Sequence, residues 1–106
     1  MYDPDLEVGT ILEIALTMVG KERRRQLVLK EQGKFKYTLS DPEMDEFVSA
    51  ACLVEEMGEV SRACLVRAGL ATDDIDISDA ALVKELSQIA ALSVAWMERL
   101  IKGGRA

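Results

Sequence analysis

The chain has 106 residues, 49% of them apolar and 30% charged, with a net charge of −6. This is the composition of a single globular domain, and it excludes a disordered segment or a basic nucleic-acid surface. The chain holds no histidine, which removes His-based triads, imidazole shuttles and His-ligated zinc and leaves carboxylates as the main acid–base groups.

The start, Met1-Tyr2-Asp3-Pro4-Asp5, is acidic and lacks the positive leader of a secretory signal. A first helix is predicted from about Leu6 to Gln32, with Val8, Ile11, Leu12, Ala15, Met18 and Val19 on one apolar face. It turns strongly charged at Lys21-Glu22-Arg23-Arg24-Arg25, and Gly33 closes it. The connector Lys34-Phe35-Lys36-Tyr37-Thr38-Leu39 reads as loop or a short extended piece.

A second helix is predicted to follow, with Ser40 or Asp41 as cap, Pro42 in its first turn and Glu43, Asp45 and Glu46 at the positive end of its dipole. It should run to about Ala68, with Gly69 as the stop. After a polar linker, Ser78 is a good cap for a third helix ending near Lys102 and Gly103-Gly104. Cys52 and Cys64 then share the second helix about 18 Å apart, beyond disulfide reach, and are expected as small core residues of a reduced protein. The most apolar runs, Val48–Val54 and Ile89–Met97, are far shorter than the roughly 20 residues of a membrane span. A cytoplasmic protein is expected. Both runs are nevertheless apolar on nearly every side, and helices of that kind are buried all round. Three helices cannot supply that cover, so a homo-oligomer is expected.

The most informative feature is Glu55-Glu56-Met57-Gly58-Glu59 on the second helix, answered by Glu85-Leu86-Ser87-Gln88 on the third. Carboxylates three or four apart on one helix face lie roughly 5–6 Å apart at Cβ. Both stretches border apolar residues, so the repulsion between them falls beside the core. If the two faces meet, the glutamates converge on a cation site. Hard oxygen donors without imidazole or thiolate suit Mg²⁺ or Mn²⁺ rather than zinc. The plain alternative is a solvated acidic face with Glu59 paired to Arg62. Gly58 costs about 1 kcal/mol in mid-helix relative to alanine, which points to a close approach there by a ligand or by another helix.

These two stretches resemble the E-x-x-E … E-x-x-D signature of the MazG-like all-α nucleoside triphosphate pyrophosphohydrolases. Glu55 to Ala63 matches the first motif, and Lys84 to Ala91 followed by Ala95-Trp96 matches the second. The connector Gly33 to Thr38 with Asp41-Pro42 is similar to that of small stand-alone members, so the resemblance spans residues 33–101. It implies an all-α fold in which three main helices assemble with a second chain into a four-helix-type bundle, as a homodimer or homotetramer. It also implies Mg²⁺-dependent cleavage of a nucleoside triphosphate to monophosphate and pyrophosphate, clearing unwanted or excess nucleotides.

Carried over by position, Glu56, Glu59 and Glu85 are the implied metal ligands, with Gln88 in the place of the family's aspartate. Glu55 and Glu56 are the catalytic candidates, Glu55 to orient the attacking water. Lys34, Lys36, Arg24 and Arg25 are candidates for phosphate, and Tyr37 and Trp96 for stacking on a base. An amide at position 88 can ligate Mg²⁺ but brings no charge. The competing expectation is therefore a non-catalytic helical oligomer or nucleotide-binding regulatory module that lost turnover through Gln88.

Overall fold

The computed structural model describes residues 8–103, and among these there are three helices and no strand. They are α1 (Val8–Glu31), α2 (Glu46–Arg67) and α3 (Asp79–Lys102). The predicted start near Leu6, the acidic Met1–Asp5 and Gly104 lie outside the described residues, as does the side chain of Val8.

The helix stops follow from the glycines. Gly33 and Gly69 both take φ +74°, the left-handed conformation that costs glycine least. Each lets the chain fold back on its helix: Lys34 N–H donates to Leu29 O at 2.9 Å and Leu70 N–H to Leu65 O at 2.9 Å. Ser78 caps α3, accepting from Ala81 N–H.

The start of α2 differs from the prediction. Asp45, not Ser40 or Asp41, is the cap, and its carboxylate accepts from the N–H groups of Phe47 and Val48. Asp41 is engaged elsewhere: it accepts from Thr38 N–H at 3.2 Å and pairs with Lys30. Pro42 disfavours helical geometry at Asp41, so 41–44 close a turn in which Met44 N–H donates to Asp41 O at 3.0 Å. Of the acidic residues expected in the first turn, Glu46 alone is there.

α2 and α3 form an antiparallel hairpin. Arg67 pairs with Asp79 at 2.9 Å at the closed end, and Glu46 pairs with Arg99 at the open end. This register sets Glu59 opposite Glu85 in the middle. α1 packs on α3 and not on α2, so α3 is the central helix. α3 is long and apolar enough to cross a membrane by length and composition, with mean hydropathy 1.2 over 18 residues, and only 11% of that window is buried in the single chain. It also carries Glu85, Gln88 and the buried Arg99.

The connector 34–45 is irregular rather than extended, and it enters the core. Leu39 is 2% exposed and joins Val60, Ala63, Ala91 and Ala95 as the buried apolar residues. Two arginines hold it in place. Arg23 from α1 donates to Ser40 Oγ at 2.7 Å and pairs with Glu98 at 2.6 Å. Arg99 from α3 donates to Leu39 O at 3.2 Å and to Ser49 Oγ at 3.1 Å.

Much apolar surface stays open in the single chain. The expected apolar face of α1 is exposed at Ile11 and Leu12, with Met18 and Val19 half-buried. On α2, Phe47 is 87% and Val54 71% exposed. The two thiols are not core residues as expected: Cys52 is half-buried and Cys64 is exposed.

Candidate functional site

The antiparallel register brings three carboxylates to one point. Glu56 and Glu59 are three apart on α2, and Glu85 faces them from α3. Each offers one oxygen, and these oxygens lie within 4.8 Å of one another. Opposite ligands of Mg²⁺ are about 4 Å apart, so rotamer-scale adjustment closes the set on such an ion. Glu85 Oε2 is buried with no hydrogen-bond partner among the described residues. Such a buried acceptor needs a proton or a cation.

Electrostatics at the cluster point the same way. Burial pushes the Glu56 carboxyl above its usual range, and the charges of Glu59 and Glu85 push it further. Burial likewise raises Glu85, helped by its hydrogen bond and repulsion with Glu59 and opposed by Lys84. Two full charges at this separation repel by about 3 kcal/mol at an effective dielectric near 20, an amount that the exposure of Glu59 reduces. Arg62 does not relieve it as the solvated-face alternative requires. It pairs with Asp73 at 3.3 Å and donates to Thr72 O at 3.1 Å.

The cluster stands between two clefts, with Glu59 and Glu85 in the wall of one and Glu56 in the wall of the other. The larger, about 470 Å³, lies between the α2–α3 linker and the hairpin; Glu55, Gly58, Glu59, Arg62, Arg67 and Glu85 are among its walls. Ser78 N–H donates to Asp76 at 2.9 Å on its rim, and this bond holds the Asp76 carboxyl below its usual range. The smaller cleft, about 190 Å³, lies between α1, the connector and the hairpin. It joins Glu56 and Gln88 to Arg25, Gln26, Phe35 and Tyr37.

Gly58 opens on the larger cleft, and a Cβ built there meets nothing within 4 Å. Helix packing within the chain is therefore not the reason for this glycine. The space beside it is open to a ligand or a neighbouring chain.

The other sequence candidates divide by position. Arg25 and Tyr37 line the smaller cleft with Glu56 and Gln88, and Arg25 is held by Glu22 at 2.6 Å. Glu55 is exposed on the wall of the larger cleft. Lys36 borders a shallow depression with Asp41 and Asp45, and Arg24 borders another with Gly20; neither includes the cluster. Lys34 is exposed and lines neither main cleft. Trp96 is turned to the open end of the hairpin, where its Nε1 donates to Glu46 at 3.1 Å and Arg99 lies 5.9 Å from the ring centre.

Sequence reasoning missed Gln26, Phe35, Arg62 and Arg67 as cleft residues. The signal for Gln26 was present: continuing the Met18–Val19 face by three and four residues passes through Glu22, Arg23 and Gln26. No family model matches the chain, and no curated protein or solved structure does either.

Proposed function

We propose that the chain is a Mg²⁺-dependent nucleoside triphosphate pyrophosphohydrolase of MazG-like type, acting in the cytoplasm as a homodimer or homotetramer. One observation carries the reading: the oxygens of Glu56, Glu59 and Glu85 converge within 4.8 Å between two clefts. All-oxygen donors without imidazole suit Mg²⁺, with Mn²⁺ as a substitute. Glu56, Glu59 and Glu85 would hold the ion, with the Gln88 amide beside Glu56 in the smaller cleft as a further, uncharged oxygen donor. Bound there, the ion neutralises phosphate charge and polarises the scissile anhydride.

The chain's own residues do the rest. Tyr37 and Phe35 receive the base in the smaller cleft, and Arg25 meets phosphate at its mouth. The polyphosphate runs across the cluster toward Arg62 and Arg67, whose guanidiniums accept the leaving pyrophosphate. Glu55 orients the water that attacks the α-phosphorus as the α–β anhydride bond breaks. Two half-buried or exposed thiols and the open apolar faces support a reduced compartment and an oligomer.

The test is pyrophosphate release from a panel of standard and modified nucleoside triphosphates with Mg²⁺. Release that falls at least 100-fold in Glu59→Gln and Glu85→Gln supports the reading. No release from any member, with none restored by Gln88→Asp, overturns it. Nucleotide binding with release appearing only in Gln88→Asp identifies the regulatory alternative.

A further inference from the structure

The smaller cleft contains a polar group that the hydrolytic reading does not use. Gln26, in the middle of α1, is 6% exposed and lines the cleft beside Phe35, Tyr37 and Leu92. Arg23 favours one orientation of its amide. Arg23 Nη1 donates to Gln26 Oε1 at 3.4 Å, and a guanidinium has no acceptor to offer the other end of the amide. Arg23 is itself fixed, by Glu98 and Ser40. The amide nitrogen therefore faces away from Arg23, and it meets no protein acceptor among the described residues. Two N–H donors are thus open to the cleft from a residue that is itself nine-tenths buried, on a wall it shares with Phe35 and Tyr37.

The cleft measures about 190 Å³, below the roughly 300–1,000 Å³ of sites that enclose a whole drug-sized ligand. It is the size of a ring, not of a nucleotide. Arg25 is matched to Glu22 and the Thr38 hydroxyl to Ser40, while Glu56 in the same wall belongs to the carboxylate cluster. A fixed pair of donors in such a cleft selects a ring with a carbonyl acceptor at its edge. Nucleobases differ in that group: uracil, thymine, guanine and hypoxanthine carry a carbonyl where cytosine and adenine carry an amino donor. An amino group opposite the Gln26 amide would leave donors facing donors.

From this geometry we infer that Gln26 is a specificity-determining residue and that the smaller cleft is a binding site for keto-bearing nucleobases. The inference rests on the proposed nucleotide substrate but does not require hydrolysis. Gln88, whose amide nothing among the described residues orients, can turn either end to a ligand and does not discriminate in this way.

The test uses the full-length protein without metal, titrated with uridine, inosine, cytidine and adenosine while the side-chain amide signals are followed by NMR. Uridine and inosine are expected to shift the Gln26 amide and to bind about 10-fold or more tighter than cytidine and adenosine. Gln26→Leu should lose this preference while keeping the fold, and Gln26→Glu, which presents an acceptor, should shift it toward cytidine and adenosine. Equal binding of the keto and amino members, or a preference unchanged in both variants, overturns the inference. Keto-selective binding without pyrophosphate release from any triphosphate leaves this inference standing and removes only the hydrolase reading. Release without base preference does the reverse.

Discussion

Glu59 stands between Glu56 and Glu85, and the carboxyls on either side of it are both held above their ordinary range, chiefly by burial. A carboxyl raised in the fold contributes stability below its unfolded value, near 4.3 for glutamate. That contribution is lost as pH rises through the raised folded value. In metal-free protein this part of the stability therefore falls as pH rises from about 4.3 through the raised folded values, and Mg²⁺ bound at the proposed site would reverse the fall. Thermal denaturation from pH 4 to 8, with and without Mg²⁺, should show a Tm rise with the ion at pH 7.5 and little at pH 4. In Glu85→Gln both the pH-dependent loss and the Mg²⁺ response should shrink. Gly58 offers a second check. Because a Cβ there meets nothing within 4 Å among the described residues, Gly58→Ala should raise stability by about 1 kcal/mol through helix propensity. If the polyphosphate runs past this backbone, the same change raises KM severalfold, so Tm and KM should increase together. The acidic cluster was legible because i, i+3 spacing fixes which carboxylates share a helix face. Gln26 was legible only as a continuation of the Met18–Val19 face, because the charged run Lys21–Arg25 just before it masks the apolar periodicity.

At the scale of elements, the stops at Gly33 and Gly69 and the cap at Ser78 were readable from residue type, because each answers a local backbone requirement. The start of α2 was not. Ser40, Asp41 and Asp45 are all competent caps, and the choice among them was made by distant partners: Arg23 takes Ser40, Lys30 takes Asp41, and Asp45 is left to cap. The same partners place Phe35 to Leu39 against the smaller cleft. Arg99 is central to this arrangement, being buried and bonded to Leu39, Ser49 and Glu46. Breaking a fully buried ion pair costs about 3–5 kcal/mol. Because the Glu46 side chain is 51% exposed, Arg99→Met should cost about 2–3 kcal/mol, discounted for solvent screening. Chemical denaturation measures this loss. The connector then loosens, so KM for the nucleotide should rise more than kcat falls. An unchanged KM would show that the connector holds its place without Arg99.

For the whole molecule, the open apolar surface decides what a single chain can be. Its Cα radius of gyration is 15.9 Å, against about 13 Å for a compact domain of some 100 residues. The outer side of α2 carries Phe47, Val54, Met57 and Leu65, all exposed, and their spacing makes one stripe along the helix. Burying the exposed parts of these four from two copies contributes about 12 kcal/mol at roughly 1.5 kcal/mol each. Association costs about 4–15 kcal/mol, so the α2 stripe alone comes close to balance. Ile11, Leu12, Ile14 and Leu16 on α1 are exposed as well, and adding them tips the sum toward assembly. The proposed oligomer therefore draws on both faces, and a charge in the α2 stripe should dissociate it. Val54→Glu should sediment as a monomer at micromolar concentration, where the unmodified chain sediments as a dimer or tetramer. Val54 does not line either main cleft, so any loss of activity in this variant reports on assembly and not on the site. A wild-type chain that is monomeric and fully active at micromolar concentration would refute the oligomer while leaving the carboxylate site intact.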